Sequence, residues 1–237
     1  LSVVSGQTEE VSVEATVPEY AFSVVYLSYQ GGEVLKKRVP GINLKFRSDK
    51  VTCHVSAREE MMSRSFFYRG STPLVFYKEV TGAEGEVIYQ PLVRVQLGKP
   101  GRKLIVIVRN ETGALQAFTF DMNEEIFLPG TVRLLNFSKQ VVRGKIAENM
   151  AMVPTMKMHD FRVEGESRKF LVSLILAASD GEELYLIEKR RFSTSRNGRK
   201  ILFIYPDPKN LNRVTYATYR YGSLPRGENF SDEVIKE

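Results

Sequence analysis

The chain has 237 residues, 43% of them hydrophobic and 26% charged, the composition of a folded globular protein and not of a disordered or collagen-like one. One cysteine and two histidines exclude an intrachain disulfide framework, a four-cysteine zinc site and a three-histidine metal centre. The net charge of +6, from 34 basic and 28 acidic residues, is a modest positive excess.

Taken in chain order, strand signals run almost from end to end. Residues 23–29 (SVVYLSY), 42–47 (INLKFR), 51–55 (VTCHV), 66–77 and 92–97 (LVRVQL) are short and rich in β-branched and aromatic side chains. Residues 104–108 (LIVIV), 114–120, 131–137, 161–163, 170–177, 183–189, 201–205 (ILFIY) and 213–221 continue the pattern. Gly-Gly, Pro-Gly, Asp-Gly and Asn-Gly pairs punctuate these runs as turns. The LIVIV and ILFIY runs lack alternation, which predicts strands covered on both faces, whereas LVRVQL alternates and predicts one wet face. Only residues 56–63 (SAREEMMS) read as helical, with Ser56 as cap and Glu59 three positions on. The longest apolar runs, 104–108 and 174–178, hold five residues each, far below the roughly 18–20 of a membrane span, so no transmembrane segment is expected. The fold class is all-β.

An internal repeat bears on the domain count. Residues 101–108 (GRKLIVIV) read like 198–205 (GRKILFIY), and each run leads through a polar turn into an aromatic strand, 115–120 or 214–219. Upstream, 25–30 matches 132–137, and 74–80 pairs with 184–190, while 81–92 finds no counterpart. The reading is two tandem immunoglobulin-like antiparallel β-sandwiches, with one larger sandwich as the alternative. The boundaries are an extension over 1–16, domains over 17–122 and 130–222, a tail over 223–237, and a hinge at Pro129 and Gly130.

Catalytic constellations fail on geometry. Cys53 and His54 are adjacent on a strand, so they point to opposite faces and cannot act as nucleophile and base; Cys53 is expected as a buried filler. His159 beside Asp160 fails likewise, and no Gly-x-Ser-x-Gly elbow is present. The pairs Glu9-Glu10, Glu59-Glu60, Glu124-Glu125 and Glu182-Glu183 are expected as solvated charge rather than as a glycosidase pair. No phosphate-binding glycine loop occurs, and Asp207, Asn210 and Asn212 lack EF-hand spacing. The sequons at Asn110, Asn136 and Asn229 are chance-level matches. The reading is therefore non-enzymatic, with no cofactor and no metal.

Positive charge is concentrated. Lys189, Arg190, Arg191, Arg196, Arg199 and Lys200 put six cations within twelve residues, around what reads as a hairpin turn, and Lys36, Lys37 and Arg38 form a second cluster. Such cations either protect a sheet edge or bind an anionic partner: acidic glycan, lipopolysaccharide or nucleic acid, the last disfavoured because no RNP, KH or helix-turn-helix pattern occurs. Tyr205, Tyr216, Tyr219 and Tyr221 crowd the final strands as a domain seam or a partner surface.

Residues 128–146 (LPGTVRLLNFSKQVVRGKI), leading to Met152, Val153 and Pro154, resemble exported bacterial immunoglobulin-like β-sandwich proteins of the cell-surface and pilus-associated type. Those proteins often open a domain with an arginine-bearing strand ending in Asn, an aliphatic or aromatic residue and Ser, followed by a strand closing at an apolar-Pro turn. Residues 23–46 repeat the shape with Tyr29 at the Asn position, and the inter-sheet disulfide of antibody domains is absent. The resemblance implies a non-enzymatic protein, exported to the periplasm or cell surface, acting through its surfaces with protein partners or by self-association. Leu1 at the start reads as a processed or trimmed end, and residues 1–7 (LSVVSGQ) are compatible with a signal-peptide remnant but too short to establish one. An anion-binding module is the alternative, and a β-sandwich carbohydrate-active enzyme is the third reading.

Overall fold

The computed structural model describes residues 17–28, 41–58, 61–109, 113–165, 167–179, 181, 183–207 and 210–221. The expected clusters at Lys36–Arg38, Glu9-Glu10 and Glu59-Glu60, the sequons at Asn110 and Asn229, the extension over 1–16 and the tail over 223–237 lie outside the described residues.

Among the described residues there are sixteen strands and no helix. The first eight are β1 (Glu19–Ser28), β2 (Gly41–Ser48), β3 (Val51–Arg58), β4 (Phe66–Arg69), β5 (Leu74–Thr81), β6 (Val87–Val95), β7 (Gly101–Arg109) and β8 (Leu115–Asp121). The second eight are β9 (Thr131–Asn136), β10 (Val141–Ile146), β11 (Asn149–Val153), β12 (Met158–Arg162), β13 (Lys169–Ser179), β14 (Leu184–Ser195), β15 (Arg199–Asp207) and β16 (Asn210–Tyr221).

They form four sheets of four strands: sheet I (β4-β1-β7-β8), sheet II (β3-β2-β5-β6), sheet III (β12-β9-β15-β16) and sheet IV (β11-β10-β13-β14). The order in sheets I and II reappears in sheets III and IV with every strand number raised by eight. Even the single parallel neighbours agree, β1 with β7 and β9 with β15. In this correspondence β5 matches β13 and β6 matches β14, which corrects the sequence pairing of 74–80 with 184–190. Residues 81–92, expected to lack a counterpart, belong to the β5–β6 hairpin, whose counterpart is β13–β14.

Three apolar cores lie between the sheets. Phe22, Phe46, Phe76 and Ile105 fill the space between sheets I and II. Leu134, Phe161, Leu176 and Leu202 do so between III and IV. Val25, Leu104, Phe137 and Phe203 belong to a third core between sheets I and III. The two unalternating runs are therefore covered on both faces: Leu104 and Val106 face the third core while Ile105 and Ile107 face the first. In β15, Ile201 and Phe203 face the third core while Leu202 and Ile204 face the second.

Two local expectations give way to tertiary pairing. Residues 56–58, expected as a helix start, continue β3, with Ser56 opposite Asn43 and Ala57 wholly buried. Pairing along β2, with Ala57 buried in the core between sheets I and II, outweighs the local capping pattern. The hinge expected at Pro129 and Gly130 is tied down. Gly130 N–H donates to the Gly198 carbonyl and its own carbonyl accepts from Val163 N–H, while Met122 and Phe127 of the same linker are wholly buried. At φ +74°, with Arg196 and Val163 carbonyls 3.1 and 3.2 Å from where a Cβ would stand, position 130 requires glycine.

Candidate anion-binding groove

The basic segment 189–200 is not a hairpin. Ser195 and Gly198 close a tight turn, with Gly198 N–H donating to the Ser195 carbonyl at 2.8 Å, but β14 before it lies in sheet IV and β15 after it in sheet III. The six cations are therefore divided by strand alternation and by the change of sheet.

Lys189 and Arg191 point outward from sheet IV, opposite Ile175 and Ser173 of β13, and are exposed. Arg190 points the other way, toward β16, with its guanidinium 5.1 Å over the Tyr216 ring and Nη2 donating to Thr218 Oγ1 at 3.2 Å. Arg196 is exposed on the turn. Arg199, only 4% exposed, is absorbed by the linker: it donates to the Phe127 carbonyl at 3.2 Å and pairs with Glu124 at 2.8 Å. Its guanidinium is thus held by the linker, while the residue also borders the groove beside Lys200.

Lys200 faces the opposite way, at the end of the core between sheets III and IV. Its Nζ stands 4.3 Å from the Phe192 ring centroid, and the residue is 7% exposed. Burial, and behind it the charges of Arg220 and Arg190, hold its ammonium down at about 8. Arg220 is its register partner on β16.

Lys200 borders a groove of about 260 Å³ whose walls also include Lys169, Arg199, Arg220, Tyr221 and the hydroxyl residues Ser193–Ser195. No carboxylate is among its lining residues. Across the Ser195–Gly198 turn, a wider depression of about 610 Å³ is lined by Arg162, Glu164 and Arg196. The groove can therefore take a negatively charged group, offering ammonium and guanidinium charge on one side and hydroxyl donors on the other. Lys169 and Arg220 were not in the sequence-derived set. They lie 31 and 20 positions from Lys200, and register alone brings Arg220 beside it.

The four tyrosines do not form one open surface. Tyr219 is 5% exposed and meets Phe203 edge-on at 5.0 Å. Tyr205 is half-buried and packs on the same inter-sheet core. Tyr221 packs 5.9 Å from Phe127, and burial raises its phenol above the ordinary range. Tyr216 donates to Glu188 Oε2 at 2.6 Å, and burial with this bond pushes its phenol up to about 12. Of the two readings, seam or partner surface, Tyr205, Tyr219 and Tyr221 take the first, lining the seam between sheets I and III, whereas Tyr216 packs on the core between sheets III and IV.

The discarded catalytic pairs stay apart. His54 is exposed, whereas Cys53 is half-buried, packs against the first core and has its thiol raised by burial. Asp160 pairs with Arg133 and not with His159, whose ring is 4.7 Å from Phe161. The sequon residue Asn136 is buried and spends its amide on the Gln140 and Val153 carbonyls, at 2.7 and 2.9 Å, so the Asn-Phe-Ser run is a structural turn. Among the described residues no three His, Cys, Asp or Glu side chains are grouped to hold a metal, and no helix is long and apolar enough to cross a membrane. A scan against protein-family models and a search of curated proteins both found no match to this chain.

Proposed function

We propose that this chain is a binding protein of two tandem immunoglobulin-like modules, the second of which holds an anionic glycan in the groove beside Lys200. The observation that carries this reading is the lining of that groove: Lys169, Arg199, Lys200 and Arg220 with three consecutive hydroxyl residues and no carboxylate. A buried ammonium beside two guanidinium groups is an unfavourable arrangement that a bound anion relieves.

Glycan is favoured over nucleic acid by the state of the nearby rings. Lys200 covers Phe192 and Arg199 covers Tyr221, so each ring has a face taken by a cation and not offered to a base. Export to the periplasm or cell surface accords with such a partner and with the family resemblance of residues 128–146.

Calorimetric titration with a sulfated tetrasaccharide tests the reading, with single-stranded DNA as comparison. Tight, salt-sensitive binding is expected for the glycan, weakened about tenfold or more by Lys200→Met or Arg220→Ser, since each removes a charge from a partly enclosed contact. Lys189→Ser should leave the affinity within about threefold, because its charge points away from the groove. Equal weakening by Lys189→Ser would mean diffuse attraction and would refute a built groove.

A further inference from the structure

We propose that the outer face of sheet IV seats the protein on an anionic lipid surface. This does not rest on the groove.

Register defines the face row by row. Met152, Arg143, Ala177 and Leu186 share one row across β11, β10, β13 and β14, and Met150, Lys145, Ile175 and Lys189 share the next. Ser173 with Arg191 and Leu171 with Ser193 follow toward one end, and Ser179 with Leu184 stands at the other. Met150, Met152, Leu171, Leu184 and Leu186 are 71%, 61%, 66%, 55% and 59% exposed. Five of the large exposed apolar side chains thus belong to one flat face, beyond the scatter expected of an ordinary surface.

Charge on this face has one sign. Arg143, Lys145, Lys169, Lys189 and Arg191 occupy its strand positions, and no carboxylate does. Glu148 reaches Lys145 from the β10–β11 turn at 3.3 Å, and Glu183 stands before Leu184. The matching face of sheet II is unlike it: Lys45 is paired with Glu79, and Lys45 and Arg47 cover the Tyr89 ring. Repeated topology therefore does not account for the character of sheet IV.

Charge and composition select the occupant. A second copy joined two-fold through this face would set cations against cations. A protein partner fits poorly, because interfaces concentrate aromatic residues and shed lysine, whereas these rows hold three lysines and no aromatic residue. Leucine and methionine able to enter the acyl boundary, beside cations whose stems reach headgroup phosphates, is the chemistry of interfacial membrane binding.

The test is co-sedimentation of the full chain with vesicles of phosphatidylcholine containing 30 mol% phosphatidylglycerol, against phosphatidylcholine alone. Binding is expected only to the anionic vesicles. It should weaken about fivefold for each of Arg143→Ser, Lys189→Ser and Arg191→Ser. Met150→Ser with Leu171→Ser should weaken it further without changing the affinity for the sulfated tetrasaccharide, while Lys200→Met should leave vesicle binding intact. The exposed positions carry little folding energy, so circular dichroism should show all variants folded. Absence of binding to anionic vesicles by folded protein overturns the proposal, as does binding insensitive to the outer-face substitutions. Concentration-dependent dimerisation abolished by Met150→Ser with Leu171→Ser would overturn it in favour of a second copy.

Discussion

Arg133 and Asp160 face one another across β9 and β12 through two hydrogen bonds of 2.7 Å, Nε to Oδ1 and Nη2 to Oδ2. The third nitrogen, Nη1, donates to the Asp121 carbonyl at 2.7 Å, at the end of β8 in the other half of the chain. The guanidinium also lies 4.4 Å over the Phe127 ring. One wholly buried cation thus joins an edge strand, the linker and the last strand of the first half. Removing it should cost about 3 kcal/mol, because a bidentate ion pair, a carbonyl's hydrogen bond and the packing of a wholly buried side chain are lost together. Urea unfolding of Arg133→Met should show this loss. Asp160→Asn, which keeps one acceptor, should cost about half as much.

Phe127 is the apolar counterpart of this junction. It is wholly buried between the halves, under Arg133 and against Tyr221. Phe127→Ala should cost about 3–5 kcal/mol as transfer and cavity terms add. Because the lost contacts join sheets I and III, its unfolding should separate into two transitions where the native chain shows one. A single transition with unchanged slope would mean that the third core couples the halves without the linker.

Asn136 closes the turn between β9 and β10. Its Oδ1 accepts from Ser138 N–H and Oγ–H at 3.0 and 2.6 Å, while its Nδ2 donates to two carbonyls. Asn136→Ala should cost about 2–3 kcal/mol, since several buried groups lose their partner together. Glycosylation of this sequon in folded protein is not expected, which mass spectrometry of protein from a glycosylating host would check.

Lys200 makes binding and stability depend on pH in a defined window. Its folded value of about 8 lies below its ordinary 10.5, so the unfolded chain holds more protons between them. Stability therefore rises as pH rises from about 8 to 10.5 and is flat below. Anion affinity runs oppositely, falling through pH 8 as the ammonium loses its proton. Lys200→Met should flatten both profiles, and a bound sulfated glycan should raise the lysine titration seen by nitrogen NMR.

Much of the fold was legible in the residues themselves. A strand with one buried face must alternate and a strand with two cannot, so LIVIV and ILFIY announced their place at the centre of stacked sheets. The paired runs at 101–108 and 198–205 likewise matched equivalent strands, β7 and β15. Residues 56–58 extend β3 despite their helix-like capping pattern, because a short cap carries less free energy than pairing along a strand.

The candidate groove was legible only as charge. Composition and spacing determined that the chain is all-β, that adjacent Cys53 and His54 cannot react as a dyad, and that cations crowd the segment 189–200. Those follow from the period of a strand, which is local. Which cations meet an anion was decided by tertiary structure: Arg199 turns inward to Glu124, Lys200 turns toward Arg220, and Lys189 turns out to the face of sheet IV. A one-residue step reverses the direction of a side chain, and a change of sheet at Ser195–Gly198 reverses what lies there. The cations at 189–200 are thus divided between a half-enclosed groove and an open sheet face, a division made by strand pairing over long sequence separation.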